Sequence, residues 1–408
     1  MQKTLLLFGY FLLPALLFSQ QINPDNLKKD IKYLASNKLK GRATASKEEI
    51  AAANFIADKF KSFNLEPKGS AGSYFFPFKF KKPKNPHDTI GEDVVSSMDV
   101  VGFLDNKAEY TVVIGGHFDH LGKGYDHNSL DPNPEGKIHN GADDNASGTA
   151  GVIELARYFS QNKRQEKFNF LFICFSGEEL GLYGSKKYCD NPTVDFSKVN
   201  YMINMDMIGR LVDSTKKLML YGVGTSADWI PLLDKTNPGF RLVKDSSGIG
   251  PSDQTSFYLK NIPVLHFFTG QHSDYHKPSD DWKKINFVGE EKVLEYIIKV
   301  IEETESFPKM KFLETKNHDS GKSNFKVTLG IMPDYTFEGK GLRVDGVTKG
   351  KPADGAGILK GDIIIQLGDI AVNNMENYMK ALSQFKKGET TDVTVKRGEK
   401  EIKMKVTF

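Results

Sequence analysis

The sequence predicts an α/β protein with a mixed, largely parallel central sheet flanked by helices, followed by a small β-rich C-terminal domain that also contains helices. Three observations predict this architecture. Six short apolar runs are continuous rather than alternating, which is typical of strands covered on both faces. Helical stretches lie between several of these runs, as in βαβ units. After Ile301 the pattern changes, and a polar segment precedes a second series of short strands.

Two helices are predicted ahead of the first strand, over 26–36 and over 46–63. The second begins with a capping box, because Ser46 is followed three residues later by Glu49. Helices are also predicted over 149–160 and 180–188. The six predicted strands span 100–104, 111–115, 168–175, 199–205, 217–221 and 263–268.

The C-terminal segment carries its own elements. Strands are predicted within 361–369 and 391–398, and a helix lies between them. Asn373 caps this helix, Glu376 completes a second capping box, and Gly388 follows its end. The buried stripe of this helix is predicted to comprise Met375, Tyr378, Met379, Leu382 and Phe385.

A chain of 408 residues has room for two or three domains. Residues 1–20 are predicted to be a signal peptide, since Lys3 precedes an apolar run over 4–18 that is shorter than the roughly 20 residues needed to cross a bilayer. An N-terminal anchor is the alternative. The main domain is assigned to 21–308, a polar linker to 309–324 and the small domain to 325–408. We therefore expect export, to the periplasm or the extracellular space after removal of the signal peptide, with no membrane segment in the mature form.

The composition excludes several classes of protein. The net charge of +3 gives no electrostatic footprint for nucleic acid, so no nucleic-acid partner is expected. Two cysteines are too few for a disulfide scaffold or a cysteine-rich zinc module. Cys174 lies in the apolar run FLFICF and is predicted to be a buried thiol, unpaired with Cys189.

Acidic and imidazole residues follow three of the predicted strands. One strand ends in His117-Phe118-Asp119, another is followed by Glu178-Glu179, and a third by Asp206. In open α/β sheets, functional sites form beyond the carboxyl ends of the strands. The loops GADDNASG, at 141–148, and SDYHKPSDD, at 273–281, add further candidate ligands.

Each of these groups also has a purely structural explanation. His117 with Asp119 could be a salt bridge at a strand end, and Asp143-Asp144 could be charges at the start of a helix. Paired carboxylates beyond a buried strand, however, repel each other unless a cation or a shared proton relieves them. Oxygen and nitrogen ligands that converge on one sheet edge suit a two-metal hydrolytic site.

Five segments, HFDHLG, GADDNASG, SGEELGLYGS, NMDMIGR and YHKPSDD, occur in the order found in a known family. The region 27–303 resembles the zinc-dependent exopeptidases that include bacterial leucyl aminopeptidases and glutamate carboxypeptidase II. The resemblance implies a mixed sheet flanked by helices, and two Zn²⁺ ions per chain. It also implies the metal ligands His117, Asp144, Glu179, Asp206 and His276, with Asp144 bridging the two ions.

The same resemblance implies the remaining catalytic roles. Glu178 corresponds to the general base, and Asp119 to the partner that orients His117. Tyr275 lies where some members place a phenol that stabilises the oxyanion. A cis peptide bond is expected between Asp144 and Asn145. Ser252-Asp253-Gln254 departs from the Ser-Asp-His often found at this point, and the segment is expected to line the substrate pocket, so that Gln254 bears on specificity rather than on metal binding.

Other histidines near the site are interpreted differently. The insert over 122–140 is polar and is predicted to be an exposed flap, so its histidines, His127 and His139, are interpreted as surface residues. His120 and His272 are given no role.

The C-terminal segment resembles a PDZ domain of the kind attached to bacterial secreted proteases. The resemblance rests on VTLGIMPDY at 327–335, on VTKGKPADGAGILKGDIIIQLGD at 347–369 and on the helix that follows. It implies binding of a peptide C-terminus as an added strand at the loop Thr328 to Ile331. A packing domain without a ligand is the alternative.

The sequence thus predicts a secreted aminopeptidase that acts on peptide substrates. Arg210 is the sole arginine within the five quoted segments, and capture of a substrate carboxylate would need arginines. Three alternatives stay open: a glutaminyl cyclase on the same scaffold, a carboxypeptidase, and a catalytically inactive peptide-binding protein.

Overall fold

The computed structural model describes residues 21–82, 93–126, 128–315, 327–333, 337, 339–347, 350–373 and 375–408. The predicted signal peptide and residues 316–324 of the predicted linker lie outside the described residues. Within the described residues, the strands of the first domain are β1 (Glu66–Pro67), β2 (Phe75–Lys82), β3 (Asp93–Leu104), β4 (Tyr110–His117), β5 (Phe168–Phe175), β6 (Val199–Met205), β7 (Lys217–Tyr221), β8 (Arg241–Lys244) and β9 (Val264–Phe268).

The helices of the first domain flank this sheet. They are α1 (Pro24–Leu34), α2 (Lys47–Ser62), α3 (Gly148–Gln161), α4 (Tyr183–Asp190), α5 (Trp229–Thr236), α6 (Gln254–Tyr258) and α7 (Phe287–Thr304). The predicted cap of α2 is present, since the Ser46 side chain accepts a hydrogen bond from the Glu49 backbone N–H. The reciprocal half of the box is shifted by one residue, because Glu49 Oε2 accepts from the Ala45 backbone N–H at 2.7 Å, while the Ser46 N–H donates to the Ala43 carbonyl oxygen.

The sheet order is β1-β3-β5-β4-β6-β9-β7-β8, with β2 also paired to β3. The central strands β5, β4, β6 and β9 are mutually parallel, whereas β3 and β7 join them antiparallel. The prediction of a mixed, largely parallel sheet is confirmed. The parallel centre brings the carboxyl ends of four strands to one edge.

Alternate residues of the central strands feed two separate cores. On β4, Val112 and Ile114 pack in the core that contains α1, α2, α3, α5 and α7, whereas Val113 packs in the core with α4 and α6. Because side chains alternate across a strand, a run that is apolar throughout fits a strand covered on both faces. The helices therefore cover both faces of the sheet.

The C-terminal domain has a separate sheet and two short helices. Its elements are β10 (Ile331–Pro333), β11 (Leu342–Val347), α8 (Pro352–Ala356), β12 (Ile363–Leu367), β13 (Ile370–Ala371), α9 (Met375–Leu382), β14 (Thr390–Arg397) and β15 (Lys400–Thr407). The strand order is β10-β11-β12-β14-β15, with β13 paired to β12 and every pair antiparallel. Tyr378 and Leu382 of α9 are buried, and Met379 and Phe385 pack against the same core.

Two further sequence predictions concern the cysteines and membranes. Cys174 and Cys189 are both buried and form no disulfide, as expected. Across the residues that the structure describes, no helix combines the length and the apolar character needed to span a bilayer.

Candidate metal centre

The parallel strands deliver four candidate side chains to one edge of the sheet. β4 ends at His117, β5 is followed by Glu178 and Glu179, and β6 is followed directly by Asp206. These strands are adjacent in the order β5-β4-β6. The acidic and imidazole groups therefore meet because their strands point the same way, as the sequence predicts.

Two loops add Asp144 and His276. Asp144 lies in the π-helical turn Ala142–Ser147 that precedes α3, and the peptide bond between Asp144 and Asn145 is cis, as expected. The Asp280 carboxylate accepts hydrogen bonds from the backbone N–H groups of Asp143 and Asp144, at 2.9 and 3.1 Å. This holds the turn against the loop that carries His276.

The Asp144 carboxylate lies between two groups of ligands, the first around His117 and the second around His276. Its Oδ1 lies 3.4 Å from His117 Nε2, and its Oδ2 lies 3.1 Å from His276 Nε2. In the first group, Asp206 Oδ1 lies 3.4 Å from His117 Nε2. In the second group, Glu179 Oε2 lies 3.2 Å from His276 Nε2. The five predicted ligands are thus brought together, with one carboxylate shared by both groups.

Glu178 lies on the first side of this arrangement. Its Oε2 is 3.8 Å from His117 Nε2, and its side chain is about one-tenth exposed. Two sets of groups are close enough to hold an ion: His117 with Asp144 and Glu179, and His117 with Glu178 and Asp206. The neighbouring Asp143 contacts neither His117 nor His276 but accepts from the Gly209 backbone N–H at 2.7 Å and lies 3.1 Å from His272 Nε2.

The donor atoms fit a cation. Asp144 Oδ2 and Asp206 Oδ1 are buried and have no hydrogen-bond partner, so each presents an unpaired oxygen to the space between the ligands. Buried carboxylates without a donor are unfavourable unless a cation or a proton compensates them. Imidazole with carboxylate oxygen is a ligand set that zinc accepts.

Strong electrostatic coupling follows from this crowding. Burial alone would lower the pKa of His117, but the carboxylates of Asp206 and Glu178 outweigh it and raise that pKa well above its ordinary value. Burial would raise the pKa of Asp144, yet the neighbouring imidazoles of His117 and His276 hold it well below its usual range. Burial raises the pKa of Glu178 well above that of an ordinary glutamate, helped by the charges of Asp206 and Glu179.

Both imidazoles are oriented by backbone carbonyls. His117 Nδ1 lies 3.2 Å from the Asp119 carbonyl oxygen and 3.6 Å from its carboxylate, so the expected partner of His117 is beside it. His276 Nδ1 lies 2.7 Å from the Asn128 carbonyl oxygen. A carbonyl can only accept, so Nδ1 carries the proton in each ring when it is neutral and leaves the Nε2 lone pair free for a metal.

The insert is exposed only in part, and the interpretation of His139 as a surface residue is wrong. His139 is fully buried, and its Nε2 is 2.7 Å from Ser129 Oγ. Ser129 and Leu130 also bond to the His276 carbonyl oxygen. The insert is therefore fixed to the metal-site loop, and burial lowers the pKa of His139 to about 4. His127 lies outside the described residues.

Sequence reasoning missed His120. This side chain is 2% exposed, and its Nδ1 lies 2.7 Å from Glu179 Oε1, the oxygen that faces away from His276. A histidine–carboxylate contact behind a metal ligand fixes the ligand's orientation. Its position three residues after His117 in HFDHLG was the available signal.

A pocket opens beside these ligands. Its other walls come from Met207, Pro251, His266, Phe268, Gln271 and Tyr275. The Tyr275 ring stacks on His276 with centroids 4.0 Å apart. The segment 252–254 does not line the pocket, contrary to expectation: the Gln254 side chain is buried and accepts from Asn204 Nδ2 at 3.2 Å. Pro251, the residue before this segment, lies in the wall instead.

Known proteins resemble this chain in both sequence and fold. The model described as peptidase family M28 matches residues 99–301, and that of the PDZ domain matches 314–408. Aminopeptidase YwaD of Bacillus subtilis is 29% identical over 158 residues, which are 36% of this chain and 34% of that protein. The chain thus spans about a third of the length of this curated relative.

Solved structures share the fold. A Zn-dependent exopeptidase from Parabacteroides distasonis superposes with a TM-score of 0.57 at 16% identity, over 70% of this chain and 99% of that one. A glutaminyl cyclase from Bacteroides thetaiotaomicron superposes with a TM-score of 0.55 at 18% identity, again over 70% and 99%.

The fold and the site together define an α/β protein with candidate carboxylate and imidazole ligands at the carboxyl edge of a mixed sheet. The chain belongs to peptidase family M28 and carries a C-terminal PDZ domain.

Proposed function

We propose that this protein is an aminopeptidase that binds two zinc ions and hydrolyses the peptide bond at the N-terminus of peptides. The observation that carries this proposal is the division of the Asp144 carboxylate, whose two oxygens face His117 and His276 separately. His117 and Asp206 complete one set of ligands, and Glu179 and His276 complete the other. A single carboxylate shared in this way would suit a two-metal site.

Zinc held by these residues supplies Lewis acidity and lowers the pKa of water at the site. Glu178 lies on the His117 side of the ligands, and its proposed role is to take a proton at Oε2 and return it to the leaving amine. Asp119 holds His117 in orientation. Tyr275 lies in the pocket wall, where its phenol is placed to stabilise an oxyanion.

The charges of the pocket favour a substrate amine over a substrate carboxylate. Glu178 and Asp206 line the pocket, and among the described residues neither an arginine nor a lysine belongs to its lining. Arg210, the candidate carboxylate-binding group of the motif region, instead contacts Asp274 Oδ2 at 3.3 Å. A free N-terminal ammonium would be attracted to this pocket, whereas a C-terminal carboxylate would be repelled.

A metal analysis combined with a substrate panel tests the proposal. Purified full-length protein is expected to hold two zinc ions and to cleave aminoacyl substrates but not their N-acetylated forms. One ion with release of a cyclised N-terminus would instead indicate a glutaminyl cyclase. Cleavage of N-blocked peptides at the other end would indicate a carboxypeptidase, and full metal occupancy without turnover an inactive peptide-binding protein.

The PDZ domain is proposed to bind the C-terminus of a peptide. β10 lies at one end of the strand order β10-β11-β12-β14-β15, so its outer edge can accept an added strand. Within the preceding loop, Gly330 has a left-handed backbone (φ +72°), and its N–H bonds to Thr328 Oγ1 at 2.9 Å. This loop is the proposed site for the peptide carboxylate.

Export is proposed on the sequence of residues 1–20 alone. N-terminal sequencing of the protein recovered from periplasmic and culture fractions tests this proposal: a mature chain that begins near Gln20 is expected, and an intact Met1 in a cytoplasmic fraction would contradict it.

A further inference from the structure

A fully buried arginine lies directly behind the candidate metal centre. Arg42 has no exposed surface, and it belongs to the turn between α1 and α2, outside the region that matches peptidase family M28. A buried cation without compensation is strongly unfavourable. The contacts of its guanidinium must therefore compensate the cost of burying the charge.

The guanidinium bonds to backbone carbonyls of three separate segments. Nε donates to the Phe118 oxygen at 2.6 Å, and Nη1 donates to the Asn140 oxygen at 2.6 Å and the Leu34 oxygen at 3.1 Å. Nη2 donates to the Gly141 oxygen at 2.7 Å and lies 3.5 Å from the Asp144 oxygen. Five N–H groups thus face five carbonyls, which is the full donor capacity of an arginine.

Four of these five carbonyls, all except that of Leu34, belong to the two chain segments that carry His117 and Asp144. Phe118 directly follows His117, while Gly141 and Asp144 form the turn before α3. One rigid, planar group therefore spans the strand end that carries His117 and the turn that carries Asp144. A lysine could not do this, because an ammonium is a compact point donor on a flexible stem.

The backbone around Arg42 reinforces the same link. The Arg42 carbonyl oxygen accepts from the His120 N–H, and the Gly41 carbonyl oxygen accepts from the Gly122 N–H at 3.0 Å. Gly41 has φ +77°, and a Cβ there would lie 2.4 Å from the His139 carbonyl oxygen. Thr44 Oγ1 donates to Asp119 Oδ2 at 2.6 Å, which fixes the carboxylate beside His117.

The surrounding charge stabilises the cation in place. Burial lowers the pKa of Arg42 to about 10, and the carboxylates of Asp144 and Asp119 oppose that shift, so the guanidinium stays charged at neutral pH. No carboxylate oxygen is among its hydrogen-bond partners in the described structure, so the contact is to backbone rather than to an ion-pair partner.

We propose that Arg42 is a positioning residue that sets the distance between His117 and Asp144 by bonding to the backbone of both segments, and that metal affinity depends on it. The inference rests on the proposed metal site. It does not place Arg42 in contact with a metal or a substrate.

The test uses full-length protein stripped of metal and titrated with Co²⁺. Arg42→Met and Arg42→Lys are compared with the unaltered chain by visible absorption, which reports ligand geometry, and by competition with a chelator. Arg157→Met is the matched control, because Arg157 also ties the N-terminal segment to the domain, through the Gln21 carbonyl oxygen, but its other partner is Glu154. The midpoint of thermal unfolding is measured for each variant.

Both Arg42 variants are expected to bind Co²⁺ at least about tenfold more weakly, with an altered absorption spectrum, while the control keeps the original affinity and spectrum. Arg42→Lys retains the charge and serves if Arg42→Met does not fold. Unchanged affinity and spectrum in a folded Arg42 variant would overturn the inference alone. An equal loss of Co²⁺ affinity in Arg157→Met would show that Arg42 contributes only to general stability, and this result would also overturn the inference. Failure of the unaltered chain to bind Co²⁺ would overturn the proposed site itself.

Discussion

Replacing Glu178 with glutamine separates its proposed role as a base from a role as a ligand. Glu178 Oε2 lies 3.8 Å from His117 Nε2, and it belongs to one of the two ligand sets that the geometry allows. Glutamine keeps the volume and one carbonyl oxygen but cannot hold a transferable proton. If Glu178 is the base, the variant should therefore retain both ions, because Asp144 and Asp206 still supply their carboxylates.

The expected loss of turnover follows from general acid–base catalysis. A positioned base contributes about 10²–10⁴-fold, which is about 3–5 kcal/mol in the activation barrier. No other carboxylate in the site is free to replace it, since Asp144, Glu179 and Asp206 each face a histidine within 3.5 Å. We therefore expect kcat in Glu178→Gln to fall by at least about 100-fold.

The assay measures kcat and KM on an aminoacyl substrate, and zinc per chain, in the same preparations. Glu290→Gln is the matched control, because Glu290 is a fully buried glutamate on α7 that belongs to neither ligand set. It should keep both metal content and kcat. Turnover within a few fold of normal in Glu178→Gln would refute the assignment of the base, and loss of one zinc would show that Glu178 is a ligand.

Four further outcomes are expected. His120→Phe should weaken metal binding about 10–100-fold in a chelator competition, because the hydrogen bond to Glu179 is lost; unchanged affinity would argue against that contact. Burial raises the pKa of Glu49 from 4.5 to about 8, so the native state keeps a proton that the unfolded chain releases above about 4.5. The contribution of Glu49 to stability is complete below pH 4.5 and is lost as pH rises towards about 8. The difference between the thermal unfolding midpoints at pH 5 and pH 8 should therefore be smaller for Glu49→Gln than for the unaltered chain. An equal difference in both proteins would contradict the shift. Ile203→Ala in β6 should lower the free energy of unfolding by about 2–5 kcal/mol in urea, while Ile230→Ala, on an exposed face, should change it by less than about 0.5 kcal/mol. Deleting the PDZ domain should lower kcat/KM on long peptides more than on dipeptides, and equal effects would argue against peptide delivery.

The sequence is most informative where one physical rule dominates. The bounds of β5, β6 and β7 coincide with their predicted ranges, because strands buried on both faces are continuous apolar runs. β2 was not predicted, although its burial alternates: Phe76, Phe78 and Phe80 are buried. That run has the period of two typical of a strand, but its lysines and proline resemble a loop in composition. Composition misled where periodicity was the better guide.

The candidate site, too, could be predicted from the sequence only in part. Ligands at strand ends could be predicted, because the parallel order alone brings them to one edge. The contacts that orient them could not. His276 is held by the Asn128 carbonyl, 148 residues away, and Arg42 contacts Gly141, 99 residues away. Backbone carbonyls are present at every residue, so no residue type marks such a contact in a sequence.

This dependence on backbone explains why the insert and the N-terminal turn matter to a site whose ligands lie elsewhere. A side-chain partner can be replaced by another residue of similar chemistry, but a carbonyl acceptor is kept only if its segment keeps its path. Gly41 illustrates the constraint, since any Cβ there would meet the His139 carbonyl oxygen. Substitutions that shift either segment should therefore weaken metal binding even where they alter no ligand, and the geometry of the centre is a property of the whole domain rather than of its motifs.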